Sequence, residues 1–324
     1  MSAREAIGAA GAGRMGRGIA IVFAYAGHPV RLVDLKPRDA EGSAAAARAA
    51  MQEIRAALAT LAGLGVMPHE SIEPIASRVS FHAEPEALAD ADVIFEGVPE
   101  TREAKRAALA AISRAARADA IVASTTSTML SDELQAMVDG PERFLNAHWL
   151  NPAYLVPLVE VSPGARTDPA VVGRLTRLLQ GIGKVPVVCK ASPGYIVPRI
   201  QALAMNEAAR LVEEGVASAA DVDRAIKYGF GLRYAVLGLV EFIDWGGGDI
   251  LYYASRYLRE AMRDDRFAAP KIVEENMHAG RIGLRTGKGF YDFGGVDVEA
   301  YRRERLGAFV ALLRHFDLLR PPAA

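Results

Sequence analysis

His148 and Glu160, twelve positions apart, are the pair in this chain best suited to moving a proton. The histidine lies near the end of an apolar run, Phe144-Leu145-Asn146-Ala147-His148-Trp149. The glutamate lies in another, Leu155-Val156-Pro157-Leu158-Val159-Glu160-Val161. The Asn151-Pro152 turn between them would bring the two side chains face to face. A carboxylate that holds one imidazole N–H fixes the tautomer and strengthens the other nitrogen as a base. That is the equipment for taking a hydroxyl proton while hydride leaves for a nicotinamide. The same spacing also suits a buried histidine satisfied by a neighbouring acid, so from spacing alone both readings stand. Ser124-Thr125-Thr126-Ser127-Thr128 follows a further apolar run. Its hydroxyls would bind substrate or, the better reading from the residues alone, cap the next helix.

A second piece of chemistry lies near the amino terminus. Gly11-Ala12-Gly13-Arg14-Met15-Gly16 stands between an apolar strand, Ala6 to Ala10, and a helical stretch, Ile19 to Ala26. Another strand, Pro29 to Val33, ends on Asp34, 18 positions after the third glycine. In a chain with 30 glycines the spacing G-x-G-x-x-G says little by itself, but its placement between strand and helix makes it specific. Gly11 permits the tight turn, Gly13 lets the backbone approach a pyrophosphate, and Gly16 lets helix and strand pack closely. Free N–H groups at the helix start receive the phosphate charge. Asp34 would accept hydrogen bonds from the adenine ribose, which favours NAD. Lys36 and Arg38 just beyond it leave a smaller opening for NADP.

These groups need a scaffold, and the chain supplies one. At 324 residues, two domains are expected. A content of 51% hydrophobic and 24% charged residues is that of a globular protein, and a net charge of −1 gives no electrostatic case for nucleic acid or a membrane surface. The only cysteine, Cys189, excludes an internal disulfide, suits a cytoplasmic setting, and lies in an apparent buried strand where packing explains it. Arg4 and the glycine loop stand where a signal peptide would have its apolar core, no apolar run is long enough for a bilayer, and Pro-Pro-Ala-Ala reads as a frayed end. No Cys/His cluster has metal-ligand spacing, so no metal is expected.

Through about residue 190, strand-like runs (79–82, 91–96, 120–124, 144–149, 155–161, 185–189) alternate with helical ones (38–64, 69–78, 105–116, 168–182). This predicts a mainly parallel, doubly wound α/β sheet. After Ser192-Pro193-Gly194 the strand pattern stops. Residues 195–214, 218–228, 236–263, 268–280 and 297–318 have helical spacing, with Gly215, Gly229 and Gly231 as stops. The predicted division is 1–190 for the nucleotide domain and 191–324 for an all-helical one, whose apolar faces suggest a homodimer.

With these landmarks assembled, the chain resembles the NAD-dependent L-3-hydroxyacyl-CoA dehydrogenase family over nearly its whole length. The likeness rests on Gly11 to Gly16, Phe95-Glu96-Gly97-Val98-Pro99-Glu100, Ser124 to Ser127, His148 through Asn151-Pro152 to Val161, Ser192-Pro193-Gly194-Tyr195-Ile196-Val197, and Gly287-Lys288-Gly289-Phe290-Tyr291. The resemblance implies a Rossmann-like domain followed by an all-α dimerisation and substrate domain. It makes His148 the general base and Glu160 its orienting partner, with Ser127 and Asn151 bonding the substrate's hydroxyl or carbonyl. Glu100 would stand at the cofactor edge, and Lys105 joins Gly11, Gly13, Arg14, Met15, Gly16 and Asp34 as candidate cofactor-binding residues.

Two positions depart from the family pattern: Thr125 replaces an asparagine, and Pro198 stands where asparagine is frequent. Gly231-Leu232-Arg233-Tyr234-Ala235 looks like the Arg-aromatic-Ala pattern of branches that oxidise free hydroxy acids such as gulonate or carnitine, as does the extra helix after Tyr291. Arg233 would pair with a substrate carboxylate, or with an acid of its own domain. The alanine-rich helix after Asp34 is also poor in lysines that would greet a CoA phosphate. The expected function is interconversion of a 3-hydroxyacyl-CoA, such as 3-hydroxybutyryl-CoA, and its 3-keto form. A free short 3-hydroxy acid is the alternative substrate, and a catalytically silent NAD-binding protein is a third, weaker reading.

Overall fold

The computed structural model describes residues 4–322; the final two alanines of the Pro-Pro-Ala-Ala end lie outside them. The chain divides into two compact units, Met1–Ala204 and Met205–Ala324.

The first unit is built on eight strands: β1 (Ile7–Ala10), β2 (Val30–Val33), β3 (Val79–His82), β4 (Val93–Glu96), β5 (Ile121–Ser124), β6 (Phe144–Trp149), β7 (Leu158–Pro163) and β8 (Val185–Val188). Their spatial order is β3-β2-β1-β4-β5-β6-β7-β8, and only β6 and β7 run antiparallel. Around the sheet lie α1 (Arg14–Tyr25), α2 (Ala40–Gly63), α3 (Ile72–Ala76), α4 (Arg102–Ala115), α5 (Ser131–Gln135) and α6 (Pro169–Gly181). The near-continuous apolar strands follow from burial on both faces. Successive residues of β1 divide between two cores: Ala9 packs with α1 and α2, and Ala10 with Leu109 and Ile112 of α4. Phe23, Phe95 and Trp149 meet edge-on or tilted within the first of these.

The helices begin where side chains accept their free N–H groups: Asp39 caps α2, Thr101 caps α4 and Asp168 caps α6. One expectation is corrected at the end of the sheet. The strand before Cys189 is an exposed edge rather than a buried element, with Val185 and Val188 each about half exposed. Pro186 fits there because an edge strand need not donate on both sides.

Helix α7 (Val197–Glu213) runs across the division between the units. The second unit continues with α8 (Ala219–Ile226), α9 (Leu232–Tyr234), α10 (Leu239–Gly246), α11 (Gly248–Met262), α12 (Lys271–His278) and α13 (Val298–His315). The run 236–263 is two helices, broken at Gly247 with φ +107°. Gly229 and Gly231 do not stop a helix; they lie in a π-helical turn, Lys227–Gly231, that carries α8 into α9. The Gly287-Lys288-Gly289-Phe290-Tyr291 segment is built around Asp244. That buried carboxylate accepts from the N–H groups of Phe290 and Tyr291 (3.0 and 2.7 Å), and a Cβ at Gly283 or Gly289 would strike the same residue. Helix α13 is held by Glu241, which accepts from Tyr301 Oη and Arg305 Nε.

No helix among the described residues is long and apolar enough to cross a membrane.

Candidate active site

The sheet order reverses direction between β1 and β4, where open α/β sheets bind ligands at the strands' carboxyl ends. Gly11 leaves β1 with φ +115°, and a Cβ there would press on the Gly97 backbone beyond β4. A Cβ at Gly16 would overlap the Gly11 carbonyl, whereas one at Gly13 would meet nothing within 4 Å. Gly13 is the N-cap of α1 and no side chain caps that helix. Its first N–H groups therefore stay open to a phosphate. A cavity of about 700 Å³ lies here, lined by Gly11, Gly13, Gly97 and Asp34 among others. These residues fit a dinucleotide. Arg14 is exposed at the helix start, while Met15 turns partly onto the core.

Asp34 is buried at the end of β2, where its Oδ2 accepts from Arg38 Nε at 2.7 Å. Lys105 is placed differently from an open cofactor contact. Its ammonium is buried, 3.0 and 3.1 Å from the two oxygens of Glu96 and 3.3 Å from Glu100. The Glu96 carboxylate, buried in turn, also accepts from Ser124 Oγ (2.6 Å) and Val98 N (2.7 Å). An ion pair taken out of water needs such extra hydrogen bonds.

Glu100 joins this cluster to the turn after β5. It accepts from Thr126 Oγ1, from Thr128 Oγ1, and from the Ser127 and Thr128 N–H groups. Burial pushes its carboxyl up, but Thr126, Lys105 and Thr128 outweigh burial and hold it below the usual carboxylate range. The stabilisation this brings is complete above the ordinary glutamate value and is lost as pH falls through the lowered one. The hydroxyls of 124–128 do not cap the next helix. The N-cap of α5 is Leu130, without a side-chain cap, and Thr126 Oγ1 instead closes a local turn onto Met129 N (3.0 Å). Ser127 is left exposed.

Antiparallel pairing of β6 and β7 sets His148 directly opposite Glu160. His148 Nδ1 lies 2.8 Å from Glu160 Oε2, with both residues buried. A carboxylate only accepts, so this partner assigns the proton to Nδ1 and the lone pair to Nε2. Nε2 hydrogen-bonds none of the described residues. Glu160 Oε1 accepts from the N–H groups of Ile196 and Val197, each at 2.8 Å, at the start of α7. The carboxylate thus sits where a helix N-terminus favours negative charge. Pro198 falls in that first turn, where a missing N–H costs nothing.

Tyr195 completes the arrangement and was not among the expected site residues. Its ring stacks on His148, with centroids 5.2 Å apart and planes 12° from parallel. Its hydroxyl donates to the Thr126 carbonyl (3.0 Å) and accepts from Asn146 Nδ2 (2.9 Å). One side chain therefore links the histidine to the turn that carries Ser127. Its backbone is left-handed, φ +45°, a rare state for a residue of this size. The available signal was Asn146, a second polar residue beside His148 in a buried strand, which had to find a partner. Asn151, exposed, heads the loop after β6 and forms a cis peptide bond with Pro152. Lys184 anchors that loop by donating to the carbonyls of Ala153 (2.5 Å) and Val156 (2.8 Å), and burial lowers its pKa.

In the second unit Arg233 is exposed, its guanidinium 5.4 Å from the centre of the Phe242 ring. Among the described residues it forms no ion pair, so the acid partner considered from sequence is not found.

The comparisons with known proteins give the class: NAD-dependent dehydrogenases acting on hydroxyl groups. Residues 6–192 match the family described as "3-hydroxyacyl-CoA dehydrogenase, NAD binding domain", and residues 194–293 match "3-hydroxyacyl-CoA dehydrogenase, C-terminal domain". The chain belongs to the 3-hydroxyacyl-CoA dehydrogenase family, is an oxidoreductase, and uses NAD. It is 33% identical to a 3-hydroxybutyryl-CoA dehydrogenase of Bradyrhizobium diazoefficiens, over 89% of this chain and 95% of that one. It is 31% identical to a 5-formyl-3-hydroxy-2-methylpyridine 4-carboxylate 5-dehydrogenase of Mesorhizobium japonicum, over 94% of this chain and 96% of that one. Among solved structures, a 3-hydroxyacyl-CoA dehydrogenase of Archaeoglobus fulgidus superposes with a TM-score of 0.77 at 33% identity, covering 98% of this chain and all of the other.

Proposed function

We propose that this chain interconverts a 3-hydroxyacyl-CoA, of the 3-hydroxybutyryl-CoA type, and its 3-keto form through a His148–Glu160 dyad. The observation that carries this reading is the 2.8 Å bond from His148 Nδ1 to a buried carboxylate, which leaves Nε2 as a base without a partner among the described residues. In the oxidative direction Nε2 takes the proton of the C3 hydroxyl. Glu160 holds the ring and stabilises the imidazolium that results. NAD, when bound, supplies the hydride acceptor. Ser127 and Asn151, both exposed, hydrogen-bond the reacting oxygen. The α1 N-terminus and Gly13 receive the pyrophosphate, and Asp34 meets the ribose. Glu100 and Lys105 act at the cofactor edge by fixing the 124–128 turn. In this reading 1–190 carries the cofactor, and the helical remainder pairs two copies into a homodimer. The exposed Ile250, Tyr253 and Tyr257, spaced along one side of α11, support that pairing.

A free short 3-hydroxy acid is the second reading, supported by Arg233, an exposed guanidinium with no acid partner among the described residues, and by a relative named for a carboxylate. Arg233→Ala separates the two. For a thioester substrate, steady-state kinetics with acetoacetyl-CoA are expected to be untouched. A KM for acetoacetate raised by about 10- to 100-fold, the scale of a lost charge-assisted pair, overturns the thioester reading.

A further inference from the structure

The wall of the nucleotide cavity beyond β2 carries two basic residues beside its acid. Asp34, Lys36 and Arg38 all line it. In an NAD-selective site the acid at the end of the second strand repels a 2′-phosphate. Here that acid is already compensated: Arg38 Nε lies 2.7 Å from Asp34 Oδ2, and the Lys36 N–H points at Oδ1 from 3.3 Å. The Arg38 side chain is 35% exposed against 7% for Asp34, so its terminal N–H groups stay open to a ligand while Nε remains on the carboxylate. Two basic residues, Lys36 and Arg38, and one acid, Asp34, thus line the edge where the adenine ribose would lie. A guanidinium fork matches a phosphate bidentately, and an adjacent ammonium adds a second charge.

We propose that this cavity also accepts 2′-phosphorylated adenosine, with Arg38 receiving the phosphate and Lys36 flanking it, so that NADP(H) serves as a second coenzyme. The proposal rests on the nucleotide-site reading and extends it to a group that an uncompensated Asp34 would exclude.

Calorimetric titration of the full chain with ADP and with adenosine 2′,5′-bisphosphate tests the proposal without depending on turnover. The wild type is expected to bind the bisphosphate within about tenfold of ADP. Arg38→Ala is expected to weaken the bisphosphate by about 10- to 100-fold, the scale of a lost charge-assisted hydrogen bond, while leaving ADP nearly unchanged. Retained ADP binding also shows that the variant is folded. Asp34→Asn is expected to move the ratio towards the bisphosphate, and added salt to weaken the bisphosphate more than ADP. Binding of ADP alone by the wild type overturns the proposal and leaves the nucleotide site intact. Equal loss of both ligands in Arg38→Ala also overturns it, because the residue would then support the adenosine generally. Failure of the wild type to bind either ligand overturns both the proposal and the nucleotide-site reading beneath it.

Discussion

Glu160→Gln is expected to lower kcat by about 10²- to 10⁴-fold, the range general acid–base catalysis supplies, with NADH affinity nearly unchanged. Glu160 is fully buried and uses both oxygens, Oε2 towards His148 Nδ1 and Oε1 towards two backbone N–H groups at the start of α7. An amide has one acceptor oxygen. If that oxygen stays with the helix N–H groups, the NH₂ faces His148 and the imidazole must accept at Nδ1, which places its proton on Nε2 and removes the base. If the amide turns over, its NH₂ opposes the Ile196 and Val197 N–H groups, and buried donors lose their partner at about 1–3 kcal/mol. Either arrangement spoils the dyad. Stopped-flow single turnover with NADH, beside a binding titration, separates the chemical step from affinity. Near-normal turnover in Glu160→Gln would reduce the pair to a structural role.

The second large effect is expected at Gly16. An added methyl there collides with the Gly11 carbonyl, so Gly16→Ala must push α1 away from the strand-to-helix turn. Overpacking of this kind costs about 1–3 kcal/mol, and the displaced helix start takes its N–H groups away from the pyrophosphate. Both thermal stability and nucleotide affinity should fall. Gly13→Ala is the contrast, because its Cβ meets no protein atom within 4 Å. That variant should keep its stability and lose only the close approach of a phosphate. Melting curves read with and without ADP check the pair. An unchanged melting temperature and ADP affinity in Gly16→Ala would contradict the account.

The glycine cradle was legible because each part of it is a local rule: a positive φ, a close approach, an uncapped helix start. The alternation of apolar strands and helices likewise gave the doubly wound sheet, since strands buried on both faces leave no other pattern. The opposition of His148 and Glu160 could be framed from an Asn-Pro turn between two strands, although spacing could not separate a working base from a satisfied core histidine. Tyr195 was out of reach for a different reason. Its partners, Asn146, Thr126 and His148, are 49 to 69 positions away or stacked through space, and no local periodicity encodes them. The Ser/Thr turn reads locally as a helix cap because its actual partner, Glu100, is 26 to 28 positions away. The exposed edge at Val185–Val188 has no sequence signature, because an apolar run looks the same at the margin of a sheet as in its centre.

The most direct test of the central claim follows NADH absorbance with acetoacetyl-CoA and free acetoacetate side by side. Rapid loss of NADH is expected with the thioester and little with the free acid. Consumption with the free acid alone would contradict the thioester assignment and make Arg233 the residue that selects the substrate. No consumption with either would contradict the proposed 3-keto chemistry itself.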